Sequence, residues 1–306
     1  MFRLLLLFNQ NSVSSQKEWK QMSKLDNISA FFSKTGQTLA SVAKIVLLSR
    51  AGKVHSIGEE KEIVILGNGP SLNQTISESP NFLHSKKKLA VNFAANTPVF
   101  FNLKPDLYVL ADPHFFNSDA ENVKNLWENF AKVDWHMTLY IPHKTKGATI
   151  SKVMQNNNIS IERYNLTPIE GFRPFCRLAF KHGWGMPRPR NVLIPSIMLA
   201  IAAGFKEIYV AGADHSWMKT ISVDDNNCVV SVQPHFYKDS AGEQTRVNTE
   251  YMKYPLHQII YSFYVAFKSY FEIKDYADSV GTTIWNITPG SFIDAFPRKK
   301  LPFEKL

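Results

Sequence analysis

The chain has 306 residues with 44% hydrophobic content, enough to bury one large core or two small ones. Lys and Arg number 35 against 26 Asp and Glu, so the surface favours anionic partners. The cations are spread along the chain and no nucleic-acid-binding motif occurs, which ranks nucleotides, acidic glycans and anionic lipid surfaces above DNA or RNA. Cys176 and Cys228 are too few and too far apart for a disulfide framework or a zinc site, and fit a reducing cytosol.

The apolar run Leu4 to Phe8 is too short to span a bilayer and lacks a small-residue cleavage site before Asn9, so neither a signal peptide nor a membrane span is expected. Residues 17–50 are compatible with a helix. Trp19, Met22, Leu25, Ile28, Phe31 and Phe32 lie roughly on one stripe, with Lys17, Lys20, Lys24 and Lys34 elsewhere. Such a helix packs on its own domain or on a second subunit, making the chain a homo-oligomer; a membrane surface is the alternative partner. Gly52 to Glu60 is polar, so residues 1–58 read as an N-terminal helical extension and 59–306 as the catalytic body.

Residues 61–72 read Lys-Glu-Ile-Val-Ile-Leu-Gly-Asn-Gly-Pro-Ser-Leu, a buried-strand pattern running into a glycine turn. Gly67 and Gly69 let the backbone turn sharply and leave amide N–H groups for an anion. Asn68 and Ser71 add side-chain donors at the same mouth. The stretch matches neither the Gly-x-Gly-x-x-Gly fingerprint nor a Walker A loop, and a plain strand-to-helix turn is the other reading. Further strands are expected at Leu89–Phe93, Leu107–Ala111, Met137–Ile141, Ser160–Tyr164, Glu207–Ala211 and Thr283–Asn286, alternating with helical stretches as in an α/β sheet. Asn92, Asp112, Asp214, His215 and Asn286 follow or end these strands, at the carboxyl edge where open α/β sheets bind ligands.

The basic segment Arg173 to Arg190 interleaves Arg173, Arg177, Lys181, Arg188 and Arg190 with Phe172, Phe175, Phe180 and Trp184. That pattern suits either a sugar-phosphate acceptor or a solvated basic face. Residues 216–250 are polar and irregular, a length suited to a lid that orders over a bound donor. Asp224-Asp225 falls there with no strand before it to position a metal-binding Asp-x-Asp, and His-Glu-x-x-His and Cys-x-x-Cys are absent. No metal site is therefore expected.

Taken in order, the loop Gly67-Asn68-Gly69-Pro70-Ser71-Leu72, Asn92, Asp112-Pro113 and the run Ile197 to Asp214 resemble the bacterial sialyltransferases of glycosyltransferase family 42. They also resemble the wider superfamily of motility-accessory-factor glycosyltransferases and hydroxymethylpterin pyrophosphokinases. The resemblance runs from about residue 61 to residue 297. It implies a Rossmann-like, mostly parallel sheet flanked by helices, a metal-independent GT-A-like variant with a lid. It also implies inverting transfer from a CMP-sugar to a cell-surface glycan or glycolipid such as lipopolysaccharide or capsule. The nucleotide sugar is then a co-substrate and no cofactor is required. The enzyme would be cytoplasmic, at the inner face of the membrane.

By the same resemblance, Gly67, Asn68, Gly69 and Ser71 hold the donor nucleotide, Asn92 and Asp214 contact it, and Arg188 or Arg190 falls near an active-site arginine. Asp112 replaces an asparagine that contacts the donor sugar, and its carboxylate would repel that of sialic acid, so a neutral sugar is an alternative cargo. The family's His-Tyr-x-x-His segment corresponds to His235-Phe236-Tyr237-Lys238-Asp239, which leaves His235 or Asp239 as the general base, with His235 preferred for its near-neutral pKa. His215 stands where the family stabilises the leaving phosphate with tyrosine. Two other outcomes stay open: a pterin-type pyrophosphokinase using ATP and magnesium, and a nucleotide-binding protein without catalysis.

Overall fold

The computed structural model describes residues 13–52, 54, 61–145, 155–231, 249 and 252–304. Its centre is a seven-stranded sheet of β1 (Glu62–Leu66), β2 (Lys87–Val91), β3 (Leu107–Val109), β4 (Met137–Pro142), β5 (Ile159–Tyr164), β6 (Glu207–Ala211) and β9 (Thr283–Asn286). All neighbours pair parallel, in the order β5-β4-β3-β2-β1-β6-β9. The seven expected strands are these seven. β2 starts two residues earlier and stops at Val91 rather than Phe93, because Asn92 turns left-handed (φ 52°) and opens a 3-10 turn over Asn92–Asn96. β3 likewise ends at Val109, short of the expected Ala111.

Both faces of the sheet are covered, which is why its strands are continuous apolar runs instead of alternating ones. Ile63 and Ile65 face one side with α8 (Leu193–Ala202) and α9 (Leu256–Ser279). Val64 and Leu66 face the other side with α2 (Leu72–Glu78) and α3 (Pro80–His84). Further along that second face, α6 (Glu121–Ala131) packs Leu126, Trp127 and Phe130 over Tyr108 and Leu139. α8 is apolar on all sides and buries nine of its ten residues, the pattern of a core helix. From β1 the chain steps outward through β2 to β5, then crosses back to lay β6 and β9 on the opposite side of β1. The connections therefore diverge between β1 and β6, and the carboxyl ends of those two strands border a crevice.

α1 (Val13–Leu48) is a 36-residue helix that docks on this body through one face. Ser41 Oγ donates to Glu170 O at 2.8 Å, Thr38 Oγ1 accepts from Phe172 N, and Ser49, just past the helix, donates to Thr167 Oγ1. The apolar stripe expected to cover the domain or a second subunit is largely left uncovered by this body: Ile28, Phe31 and Phe32 are more than half exposed, as are Leu39 and Val46 on the same side, and of these Phe31 meets the Phe172 ring at 5.5 Å. Among the described residues, no helix is long and apolar enough to cross a membrane.

Residues 216–231, expected to be irregular, hold a 3-10 turn at Ser216–Lys219 and a hairpin of β7 (Ile221–Val223) and β8 (Val229–Ser231). A strand does precede Asp224. That carboxylate closes the hairpin turn by accepting from Asn226 N and Cys228 N through Oδ1. α4 (Pro98–Leu103), α5 (His114–Asn117) and α7 (Arg173–Lys181) complete the helical layers.

Candidate ligand site at the switch point of the sheet

The loops after β1 and β6 lie against each other backbone to backbone. Gly67 N donates to Ala211 O and Gly69 N to Gly212 O, each at 2.8 Å. A Cβ on Gly67 would stand 2.5 Å from Gly212 O, one on Gly69 1.9 Å from Asp214 Oδ2, and one on Gly212 2.4 Å from Gly67 O. Gly212 is also left-handed, at φ 61°. The glycines are thus required by the contact between the two loops. This corrects the expectation that Gly67 and Gly69 offer their amides to an anion, because both N–H groups are committed to the neighbouring loop. The Ser71 hydroxyl is committed as well, donating to Asp214 Oδ2 at 2.7 Å.

Above this contact opens a cavity of about 180 Å³, walled by Gly67, Asn68 and Gly69, by Asn92, by Asn191 to Leu193 at the start of α8, and by Gly212 and Asp214 to Trp217. Two of its polar atoms are buried with no hydrogen-bond partner among the described residues: Asn68 Oδ1, an acceptor, and Asn191 Nδ2, a donor. Neither amide is free to flip. Asn68 Nδ2 donates to Val91 O at 3.3 Å. Asn191 Oδ1 accepts from Leu193 N, Ile194 N and the Tyr270 hydroxyl. A buried unpaired polar atom costs about 1–3 kcal/mol, so a native site retains such a pair for something that completes it. Asn191 also sits at the positive end of α8, where an anion is favoured.

His215 forms the back of the cavity. It is buried, left-handed at φ 51°, and its ring packs against Trp217 in a tilted pair with centroids 4.2 Å apart. Its Nε2 lies 2.6 Å from the Tyr270 hydroxyl, whose own proton goes to Asn191 Oδ1, so the network assigns the imidazole Nε2–H tautomer. Burial pushes the imidazole pKa down to about 3, which keeps the ring uncharged near neutral pH. His215 therefore brings a fixed dipole to the site and no positive charge, and the nitrogen nearest Tyr270 is spent. Lys and Arg are absent from the described walls of the cavity.

Gly67, Asn68, Gly69, Asn92, Asp214 and His215 converge on one cavity, with Ser71 behind Asp214. Others expected at the site stand apart. Asp112 is exposed beyond β3, its Oδ1 accepting from His114 N. Arg188 pairs with Glu170, and Arg190 is exposed. Arg177 holds Asp275 with two hydrogen bonds of 2.9 and 3.0 Å, and Arg173 adds a longer contact to the same carboxylate, so these cations brace α7 against α9. Asn286 is buried but engaged with Ile293 O and Thr288 N. His235 and Asp239 lie outside the described residues. The sequence reading missed Asn191, although an asparagine just before an apolar helical run is a helix-start signal. It missed Tyr270 as well, which only the tertiary fold brings to His215.

Sheet order, parallel pairing and cavity position define a doubly wound, Rossmann-like α/β protein with a ligand cavity at its switch point. No family model matches the chain, and no curated protein matches it. Among solved structures it is similar to the MAf glycosyltransferase of Magnetospirillum magneticum AMB-1, with 14% identity and a TM-score of 0.44, over 94% of this chain and 42% of that one. The chain thus spans well under half the length of that protein.

Proposed function

We propose that the protein is a glycosyltransferase that takes a sugar from a nucleotide donor, a CMP-sugar by preference, and passes it to a glycan or glycolipid acceptor at the cytoplasmic face of the membrane. The observation that carries this reading is the unpaired donor and acceptor, Asn191 Nδ2 and Asn68 Oδ1, buried on two residues that line one cavity outside the carboxyl ends of β1 and β6. A nucleotide supplies both complements. A ribose hydroxyl or base amine donates to Asn68 Oδ1, and a phosphate oxygen accepts from Asn191 Nδ2 at the start of α8. Asp214 accepts a further ribose hydroxyl, and Trp217 offers a half-buried ring for stacking.

In the transfer step an acceptor hydroxyl gives its proton to His235, or to Asp239 in the competing assignment, and its oxygen attacks the anomeric carbon from the face opposite the nucleotide. The bond from that carbon to the phosphate oxygen breaks, and the nucleotide leaves with the electron pair. Charge building on the phosphate is met by the Asn191 N–H and the α8 dipole, fixed donors that need no reorganisation as the bond breaks.

Calorimetric titration of the protein with CMP, UDP, GDP, ADP and ATP tests the site, and CMP is expected to bind tightest. Sugar transfer, or slow hydrolysis of the donor, is expected to persist in EDTA. Binding of none of the five nucleotides overturns the reading. ATP turnover that EDTA abolishes and magnesium restores replaces it with the pyrophosphokinase.

A further inference from the structure

A second cavity of about 490 Å³ opens on the same sheet edge, at the carboxyl ends of β3, β4 and β5, within the size range of small-molecule pockets. Its body is apolar: Leu48 from the end of α1, Pro113 and Phe116 after β3, Pro142 from β4, and Leu166 and Pro168 after β5. The polar side chains deep within it are already engaged. The Tyr164 hydroxyl donates to Leu110 O, the Thr167 hydroxyl accepts from Ser49, and Asn165 donates to Arg50 O and Gly183 O while accepting from Arg50 N. A sugar buried here would leave several hydroxyls without partners, whereas a hydrocarbon loses nothing by leaving water.

One end of the cavity is different. His143 and Lys144 line it, and Arg163 is tied to that end by Nη1 hydrogen bonds to His143 O and Thr145 O at 3.4 and 3.2 Å. Arg50 is held beside it by the backbone clamp of Asn165. Both guanidiniums lie close enough to His143 to add to burial in pushing its pKa down, so their positive charge is felt at that end of the cavity. No carboxylate is among the described residues lining the cavity. An apolar cavity with Lys144 at one end, and Arg50 and Arg163 held beside that end, matches the chemistry of an anionic amphiphile.

We infer that this cavity binds a phosphate monoester of a long hydrocarbon chain, with the chain along Leu48, Phe116 and Leu166 and the phosphate at His143 and Lys144. The inference stands on this cavity alone and does not depend on the transferase reading. It is tested on the full chain by calorimetry with farnesyl phosphate below its micellar concentration, and with farnesol and inorganic phosphate as separate arms. Farnesyl phosphate is expected to bind at least tenfold tighter than either fragment. Lys144→Glu is expected to weaken it at least tenfold while leaving farnesol unchanged, and Leu48→Glu, at the open end of α1, to weaken both chain-bearing probes.

Nucleotide titration of each variant reports whether the switch-point cavity is intact, so loss of that site is read separately. Equal binding of phosphate and farnesyl phosphate would make the site a simple anion patch and overturn the proposal, as would equal binding of farnesol. A final arm uses phosphatidylcholine vesicles doped with farnesyl phosphate. Binding to those vesicles without binding to the monomeric probe would mean a membrane-surface contact in place of a pocket, and would also overturn it.

Discussion

Asn191 carries two jobs on one amide. Its Oδ1 holds the first turn of α8 and the Tyr270 hydroxyl, while its Nδ2 is buried and unpaired at the cavity wall. Asn191→Asp separates them. A carboxylate keeps every acceptor bond and is favoured at a helix N-terminus, so the fold should be as stable as wild type. It replaces the donor with negative charge, so nucleotide affinity should fall by about 10- to 100-fold, or about 1.4–2.8 kcal/mol. Equal nucleotide affinity in wild type and variant would remove Asn191 from the site. Asn68→Ala makes the complementary case: it loses one long bond to Val91 and relieves a buried orphan acceptor. Unliganded stability measured by urea denaturation should therefore stay level or rise while affinity drops about tenfold.

His215 gives the same scale a pH signature. Its folded pKa of about 3 lies below the unfolded value near 6.5, so between those pH values the unfolded chain binds a proton that the native state refuses. Stability is full above about 6.5 and falls by about 1.4 kcal/mol per pH unit as acid is added, until the folded group titrates near 3. His143, pushed down less far, adds in the same direction. His215→Gln, which keeps an N–H for Tyr270 but cannot titrate, should flatten the slope between pH 6.5 and 5. Parallel wild-type and variant curves in urea melts over that range would show that His215 is not the group responsible.

At the scale of elements, what the sequence made legible follows from how local each cause is. The seven strands could be read because a parallel sheet covered on both faces demands runs such as Ile63-Val64-Ile65-Leu66, which turn signals then bound. The end of β2 was misplaced because Asn92 enters a left-handed conformation that no periodicity announces. β7 and β8, three residues each, carry too little pattern to be seen. The glycine loop was recognised for the wrong reason. Gly67 and Gly69 look like an anion cradle in isolation, but the group they make room for is the backbone at Gly212, brought in by the β6 crossover. Substitution shows the difference. Gly67→Ala drives a methyl to 2.5 Å from Gly212 O, rigid backbone on both sides, and should cost more than about 2 kcal/mol in stability as well as weakening nucleotide binding. Gly36→Ala, inside α1 with nothing within 4 Å, should instead stabilise by about 0.5–1 kcal/mol. Reversal of that order in chemical denaturation would mean that the two loops are not in contact.

Across the whole molecule the formal charge is +9, yet the two cavities on the sheet edge meet anions differently. The switch-point cavity has no Lys or Arg among its described walls and relies on Asn191 and the α8 dipole. The β3–β5 cavity has Lys144 in its lining, with Arg50 and Arg163 next to lining residues, and all three cations are exposed. Salt screens exposed charges, with a Debye length of about 10 Å at 0.1 M and about 3 Å at 1 M, and acts weakly on fixed dipoles out of water. Raising NaCl from 0.1 to 1 M should therefore lower nucleotide affinity by less than about threefold and alkyl-phosphate affinity by about tenfold or more, the first through slower association. Thermal protection supplies the readout, since a ligand at a hundred times its dissociation constant adds about 2.7 kcal/mol and that increment shrinks as screening weakens binding. Equal salt sensitivity at both sites would mean that surface cations hold the nucleotide too, and that the buried amide pair does not set its affinity.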